Sequence, residues 1–393
     1  MKIVMTGGGS GGHITPILAV AHELKAIQPD ATITYIGQKG DRFGEVVAAH
    51  ELIDEVYTIS AGKFRRYHGE GIGQLLDFKT VWLNLRDMFR VLTGCVQAWR
   101  LLGRLHPDAV FCKGGFVGVP VGFAAALRRV PYITHDSDAI PGLANRIISR
   151  WAAGHAVALD PKLYPYPAKK TKNVGVPVAS VYTVVTPERQ AAARKSLKLS
   201  EYKQIILITG GGLGAARLNH ASVLAVPKLL ETYPGLVVVH TTGAAHETAV
   251  AEAYDAVLPS AARKRVFVIG YTTELYAYSA AADVVVARGG ATNFAELAAQ
   301  AKPCIIVPNP LLAGGHQLKN AAAYEAKRAV ITIDETKLTN NHELLVNALT
   351  RLLDSPDRRK ELSERIAAFA RPDAAKELAQ FILTTVKDGA EGV

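Results

Sequence analysis

Cysteine is scarce in this 393-residue chain. Its three copies, Cys95, Cys112 and Cys304, are too scattered for a disulfide framework or a zinc-ligand spacing, so a reducing cytoplasm is expected. Long hydrophobic runs are missing as well. Residues 116 to 127 form the longest nearly apolar stretch, which ends at Arg128 and Arg129, short of the roughly 20 residues that a spanning helix requires. No membrane crossing is expected. Glycines interrupt the chain after Met5 before the apolar centre of a signal peptide can develop. No helix-turn-helix, zinc-finger or aromatic RNA-binding signature is present, which argues against nucleic acid as a partner. The formal charge of +10 favours other anions, nucleotides and phospholipid headgroups among them. A 49% hydrophobic content with 20% charged residues fits a folded protein. The length exceeds one typical core, so about two domains are expected.

Short apolar runs alternate with helical patterns: KIVM, TITYIG, AVFC and YITH in the first half, QIILITG, LVVVHT, RVFVIG, DVVVAR and CIIVP in the second. Strands apolar on both faces, separated by helices, predict parallel sheets covered on each side. The class is α/β, doubly wound. Residues 160 to 178, "DPKLYPYPAKKTKNVGVPV", are dense in proline and lysine without helical periodicity, and predict a linker over 161 to 178. Domains are therefore expected over 1 to 160 and 179 to 370, with a final amphipathic helix over 371 to 393.

Each half opens on a strand that runs into glycine. "TGGGSGGHITP", residues 6 to 16, has five glycines and a serine before His13, with Gly7, Gly9 and Gly12 at the dinucleotide-fingerprint spacing. "ITGGGLGAARLN" repeats the device with Gly210, Gly212 and Ala215. Such turns let a backbone approach a pyrophosphate at a helix N-terminus. Bound NAD would want an acidic residue after the second strand of a half, but Gly37 and Gln38 follow TITYI, and Thr241 and Thr242 follow LVVVH. Hydride chemistry is disfavoured. A third glycine turn, residues 288 to 291, follows DVVVA; Thr292 or Asn293 is expected to cap the next helix, with Glu296 in or near its first turn. Glu296 reads either as a residue favoured by the helix dipole or as a carboxylate accepting both ribose hydroxyls of a nucleotide sugar.

The blocks "GGGSGGHITPILAVAHEL", "GGFVGVPVGFAAALRRVPYITHDSDAIPGLANR", "TGGGLGAARLN" and "ADVVVARGGATNFAELAAQAKPCIIVPNPLLAGGHQLKNA" resemble, in order and spacing, those of the MurG family over most of residues 1 to 330. The resemblance implies the GT-B plan, two Rossmann-like doubly wound domains facing across a cleft. It also implies a peripheral enzyme of the cytoplasmic membrane face, which moves GlcNAc from UDP-GlcNAc to lipid I with inversion, making lipid II. It implies no cofactor and no required divalent metal. The donor residues it carries over are Ser10, Gly11 and Gly12 near the sugar, Asp138, Gly212 and Thr272, then Arg288 and Ala291, Thr292, Asn293, Phe294, Ala295 and Glu296 at the nucleotide, with Gln317 and Asn320 beyond. His13 is the candidate base, kept neutral at a helix N-terminus; packing or phosphate binding is its alternative role.

Some positions depart from the family pattern. His-Glu-x-Asn becomes His135, Asp136, Ser137, Asp138; Gly-Ser-x-Gly-Ala becomes Gly211 to Ala215; Gly-Asn-Pro-Val-Arg ends in Ala179. The lost hydroxyl and cation leave more of the phosphate to backbone amides and Arg288. Asp136 and Asp138 have a spacing that can hold a metal, and equally one that shapes a turn. Residues 61 to 106 carry eight cations against three carboxylates, with large apolar residues at largely helical spacing, as on a helix lying on an anionic membrane or one packed with a solvated basic face. "GKFRRYHG" within it reads as a pyrophosphate site or as a surface loop. Two other functions fit: a related transferase acting on diacylglycerol or another polyprenyl lipid, and a non-catalytic nucleotide-sugar-binding scaffold.

Overall fold

The structure is a computed structural model that describes residues 1–8, 11–41, 43–63 and 78–391. It divides into two compact units: residues 1–180 with 311–316 and 371–393, and residues 181–310 with 317–370.

In unit 1 the order is β1 (Lys2–Thr6), α1 (Gly11–Ile27), β2 (Thr32–Gln38), α2 (Phe43–Ala48), β3 (Glu55–Ile59), α3 (Phe78–Leu105), β4 (Ala109–Cys112), α4 (Gly118–Leu127), β5 (Tyr132–Asp136), α5 (Leu143–Ile148), β6 (Gly154–Val157) and β7 (Thr171–Asn173). The strands form one seven-stranded parallel sheet, β3-β2-β1-β4-β5-β6-β7. Val4 pairs with Thr34 on one side and Val110 on the other. Four of the five β1 residues and all of β4 and β5 are buried, because helices cover both faces; this is why they read as continuous apolar runs rather than alternating ones.

Unit 2 continues with α6 (Pro187–Ser196), β8 (Gln204–Thr209), α7 (Ala216–Thr232), β9 (Leu236–Thr241), α8 (Glu247–Val257), α9 (Ser260–Arg263), β10 (Val266–Ile269), α10 (Leu275–Ala281), β11 (Val284–Ala287), α11 (Ala291–Ala299), β12 (Cys304–Ile306), α12 (His316–Glu325), β13 (Ile331–Thr332), α13 (Glu335–Asn340), α14 (Glu343–Leu353) and α15 (Pro356–Ala367). Its sheet is parallel, in the order β10-β9-β8-β11-β12-β13. One core, around Leu218, Leu229, Val238 and Leu349, fills one face; another, around Leu207, Val239, Phe294 and Ile366, fills the other.

The last helix, α16 (Ala374–Glu391), belongs to unit 1, where Leu378, Ala379, Ile382 and Leu383 join Ile3, Ile17 and Leu24 in the core. Burying a leucine or isoleucine of this kind is worth about 1.5–3 kcal/mol each. A Cβ on Gly154 would meet the Phe381 ring at 2.6 Å, so this strand is glycine where α16 crosses it.

Residues 161 to 178 are not the expected linker. They carry two 3-10 turns and β7, which pairs with β6, and Tyr164 and Tyr166 are buried against Val157. Proline and lysine there reflect an edge strand and its exposed turns.

In both sheets the strand order reverses beside the first strand, between β1 and β4 and between β8 and β11. Chain leaving the carboxyl ends of those neighbours departs to opposite faces, which opens a crevice lined by turn backbone. The glycine turns lie at those crevices.

Candidate active site

In unit 1 two turns meet at the crevice. Lys113 N–H donates to the Thr6 carbonyl at 2.8 Å, which brings the chain after β4 alongside Gly7 and Gly8. Gly115 has φ +78°, and a Cβ there would sit 2.7 Å from the Gly8 carbonyl oxygen, so the position requires glycine for its conformation and for close approach. Gly11 and Gly12 open α1, followed by His13. Ser10, together with Gly9, lies outside the described residues. The His13 imidazole is half-buried; its lost hydration and the nearby Lys113 ammonium bring its pKa down to about 4, so it is uncharged at neutral pH.

Around it lie polar groups that are almost wholly buried. Lys113, 3% exposed, donates through Nζ to Ser137 Oγ at 2.8 Å. Asp136 accepts from the Tyr166 hydroxyl at 2.7 Å and from Gly142 N–H at 2.9 Å, which makes it the organiser of the turn before α5. Burial nonetheless holds its carboxyl above the ordinary range. Tyr164 donates to the Asp138 carbonyl at 2.8 Å, and the Asp138 carboxylate acts on both His13 and Lys113. His135 Nε2 bonds the Gly175 carbonyl at 2.9 Å, and Asn145 Nδ2 donates to the His135 carbonyl at 2.9 Å.

In unit 2 the turn Arg288-Gly289-Gly290 leads from β11 into α11. Gly290 is the N-cap residue and no side-chain cap bond is made, which corrects the expectation of a Thr292 or Asn293 cap: they are the second and third helical residues. The first turn holds no acidic side chain. Glu296 is the sixth helical residue, past the first turn. It takes a hydrogen bond from the Tyr182 hydroxyl, and burial pushes its pKa up to about 8. Tyr182, Thr209, Ser279, Asn293 and Glu296 line a small cavity whose floor is apolar, including Leu275 and Val285. Phe294 is core, stacked on Tyr324 at 4.1 Å.

From α12, Asn320 braces the same turn and Gln317 the chain after β12. Asn320 Nδ2 donates to the Gly289 carbonyl at 3.1 Å, and Gln317 Oε1 accepts from Asn309 N–H at 2.9 Å. After β8, the glycines in the left-handed region are Gly211 (φ +76°) and Gly214 (φ +75°), and a Cβ on Gly214 would collide with the Thr242 carbonyl. Gly212 is open, with Tyr271 4.0 Å away as its nearest neighbour. Thr272, in the loop after β10, accepts from Glu274 N–H at 3.0 Å.

Arg288 does not stand as a cation presented to phosphate. It is 8% exposed, donates to the Val307 carbonyl at 3.1 Å and pairs at 2.5 Å with Glu335, itself 1% exposed. Arg217, from the start of α7, reaches the other oxygen of Glu335 at 3.3 Å. The reason is position: Arg288 leaves β11 toward the buried amino end of α13, where an unpaired carboxylate would be prohibitive.

The helix expected within residues 61 to 106 is α3. Its core face carries Thr80, Asp87, Gly94, Ala98, Leu101 and Leu102. Asp87 is 2% exposed and pairs with Arg86 and Arg90 at 3.1 and 3.4 Å. The outward face is the apolar one: Val81, Trp82, Leu85, Met88, Phe89, Leu92, Val96 and Trp99 are each more than 40% exposed. Among the described residues, no helix is long and apolar enough to cross a membrane. "GKFRRYHG" lies, but for its first two residues, outside the described residues.

Reasoning from sequence overlooked three residues of these sites. Lys113 carried a signal, a charge placed between an apolar strand and Gly114-Gly115. Tyr182 and Glu335 carried none, because each reaches its partner from more than 40 positions away.

Residues 3–157 match the glycosyltransferase family 28 N-terminal domain, and residues 205–378 match its C-terminal domain. With two parallel Rossmann-like sheets, they define the class: a glycosyltransferase of the GT-B fold. The UDP-N-acetylglucosamine–N-acetylmuramyl-(pentapeptide) pyrophosphoryl-undecaprenol N-acetylglucosamine transferase of Salinibacter ruber is 33% identical over 381 residues, 97% of this chain and 96% of its own. That of Bacillus subtilis is 31% identical, with 96% and 98% covered. The crystal structure of Acinetobacter baumannii MurG superposes with a TM-score of 0.69 at 23% identity, covering 98% of this chain and 99% of that one. The chain belongs to the MurG family of N-acetylglucosaminyltransferases.

Replacing one member of the buried pair tests its structural role. Arg288→Met leaves the buried Glu335 carboxylate with only the longer Arg217 contact and is expected to lower unfolding free energy by up to about 3–5 kcal/mol in denaturant titrations. A loss under 1 kcal/mol with intact folding would contradict this role.

Proposed function

We propose that this chain transfers GlcNAc from UDP-GlcNAc to lipid I with inversion at the anomeric carbon, giving lipid II. The observation that carries the reading is the amino end of α11, made without a capping side chain, with Glu296 five residues along the same helix. Main-chain N–H groups at a helix start favour an anion by about 1 kcal/mol, more when partly buried, which suits the donor diphosphate. Glu296 suits the paired ribose hydroxyls. Gly212 and Thr272 flank the nucleotide in this reading, Asn320 holds the turn, Gln317 holds the chain after β12, and Ser10, Gly11 and Gly12 attend the sugar. The relatives are named for the same donor, acceptor and transferred group.

His13 accepts the proton of the acceptor hydroxyl as that oxygen bonds to the anomeric carbon. The bond from that carbon to the UDP oxygen breaks, and its electron pair leaves on the diphosphate. An uncharged imidazole is ready for this, and the negative charge of incoming substrate raises its basicity. Amides of the 289 to 293 turn stabilise the leaving group electrostatically. The scheme is written without a metal; the bonds from Tyr166 and Gly142 N–H to the Asp136 oxygens support reading that carboxylate as one that shapes the turn.

The exposed apolar face of α3, with Arg86, Arg90, Arg100 and Arg104 on the same helix, supports peripheral attachment to the anionic cytoplasmic face of the membrane, where the lipid acceptor resides.

Incubation with UDP-GlcNAc and lipid I in EDTA is expected to release UDP and form the lipid-linked disaccharide. His13→Ala should lower kcat by at least about 100-fold. Near-normal turnover would remove His13 from the mechanism, and product with diacylglycerol alone would reassign the acceptor.

UDP binding should depend on pH through Glu296. In the empty site the carboxyl keeps its proton below about pH 8. The ribose hydroxyls require the ionised form, so binding releases a proton, and affinity should rise about tenfold per pH unit from pH 6 toward pH 8. Calorimetry in buffers of different ionisation enthalpy checks this; Glu296→Gln should be weaker and flat, and a flat wild-type profile would reject the contact.

Sedimentation with anionic vesicles should recover the protein, less so in high salt. The double variant Trp82→Glu, Phe89→Glu should stay in solution while retaining turnover of a water-soluble acceptor analogue; unchanged vesicle binding would discard the α3 surface.

A further inference from the structure

Lys113 has no task in the scheme above, yet it is the buried cation of the unit 1 crevice. Its ammonium has three donors. Ser137 Oγ takes one at 2.8 Å, and the carboxylates of Asp136 and Asp138 act on it from the β5 side. A buried ammonium is unfavourable unless it is paired and hydrogen-bonded, and an apolar residue of equal length would fill the same volume without that penalty. The chain turns immediately after it through Gly114 (φ +104°) and Gly115 (φ +78°). A Cβ on Gly114 would stand 3.7 Å from His13 Nε2 and 3.6 Å from Asn145 Nδ2, and Lys113 Cβ itself lies 3.1 Å from the corresponding point on Gly7. Lysine and imidazole thus occupy adjoining walls of one crevice.

Charges reach His13 from several elements: Lys113 after β4, Asp138 and His135 on the β5 side, Asp41 after β2, and His316 at the start of α12. Of the charged groups, Lys113 exerts the largest effect, opposing the two carboxylates. A neighbouring cation disfavours the imidazolium, so the lysine adds to the larger effect of burial and offsets the two carboxylates.

We propose that Lys113 is a positioning residue for the transfer: its ammonium ties the Ser137-Asp138 turn to the end of β4 and sets the charge that the neighbouring His13 imidazole faces. This rests on the reading of His13 as the base.

Two variants separate charge from packing. Lys113→Met removes the cation at similar volume, and Lys113→Arg keeps it. In the full-length protein with labelled histidines, the His13 NMR signal, assigned by its loss in His13→Gln, should titrate about one pH unit higher in Lys113→Met. It should stay near the wild-type position in Lys113→Arg. The acid limb of kcat/KM for the lipid acceptor, measured with UDP-GlcNAc saturating so that the Glu296 dependence of donor binding drops out, should move with the NMR titration. A lowered Tm with neither the imidazole titration nor the acid limb displaced would overturn the proposal and leave Lys113 a packing residue. If Lys113→Met does not fold, Ser137→Ala, which frees the ammonium from its anchor, should displace the titration upward by a smaller amount, and an unmoved signal there also overturns it. A displaced imidazole in an enzyme whose kcat/KM has no acid limb would uphold the coupling while removing His13 as base.

Discussion

The active-site features rest on the reversal of strand order in a parallel sheet. Neighbouring strands there send their continuations to opposite faces, and the gap at their carboxyl ends is lined by main chain rather than side chains. Side chains would fill it. That is why Gly115 approaches the Gly8 carbonyl and Gly214 the Thr242 carbonyl so closely that no Cβ fits. In the function proposed above, amide hydrogens are the recognition elements, and amides carry no counter-charge that must be neutralised when a diphosphate is absent.

Side-chain charge is used differently. Arg288 and Glu335 neutralise one another in the interior, and Arg217 supports the pair from the surface. Glu296 and His13 are tuned in opposite directions from their reference charge states by the same cause, removal of water: the acid retains its proton and the base releases its own. In each case the empty protein avoids an isolated charge, and in the proposed scheme a charged substrate shifts the balance.

Much of this was legible in the sequence. Strands buried on both faces wrote themselves as KIVM, AVFC or DVVVA, and glycine turns marked their carboxyl ends. The strands overlooked were those whose environment erases the signal: β3 at a sheet edge, β6 with a glycine and a histidine in four residues, β7 as Thr-Lys-Asn, and the two-residue β13. Fingerprint spacing pointed to Gly210 and Gly212 after β8, whereas the left-handed conformations fall at Gly211 and Gly214. Spacing located the turn without identifying which glycine bears its geometry. Partners distant along the chain, such as Tyr182 on Glu296, leave no local pattern, and a buried ion pair reads in sequence like two surface charges.

The return of α16 to unit 1 bears on the order in which the molecule matures on the ribosome. Unit 2 draws its core from residues between 181 and 370, whereas one wall of the first unit is translated only after all of these. At roughly 5–20 residues per second, the nascent β1 sheet waits some 10–40 s for that wall, with the core around Ile3, Ile17 and Leu24 still lacking its α16 side chains. The half of the polypeptide that emerges first is therefore the half completed last, and its unfinished interior is a natural client for chaperones during synthesis.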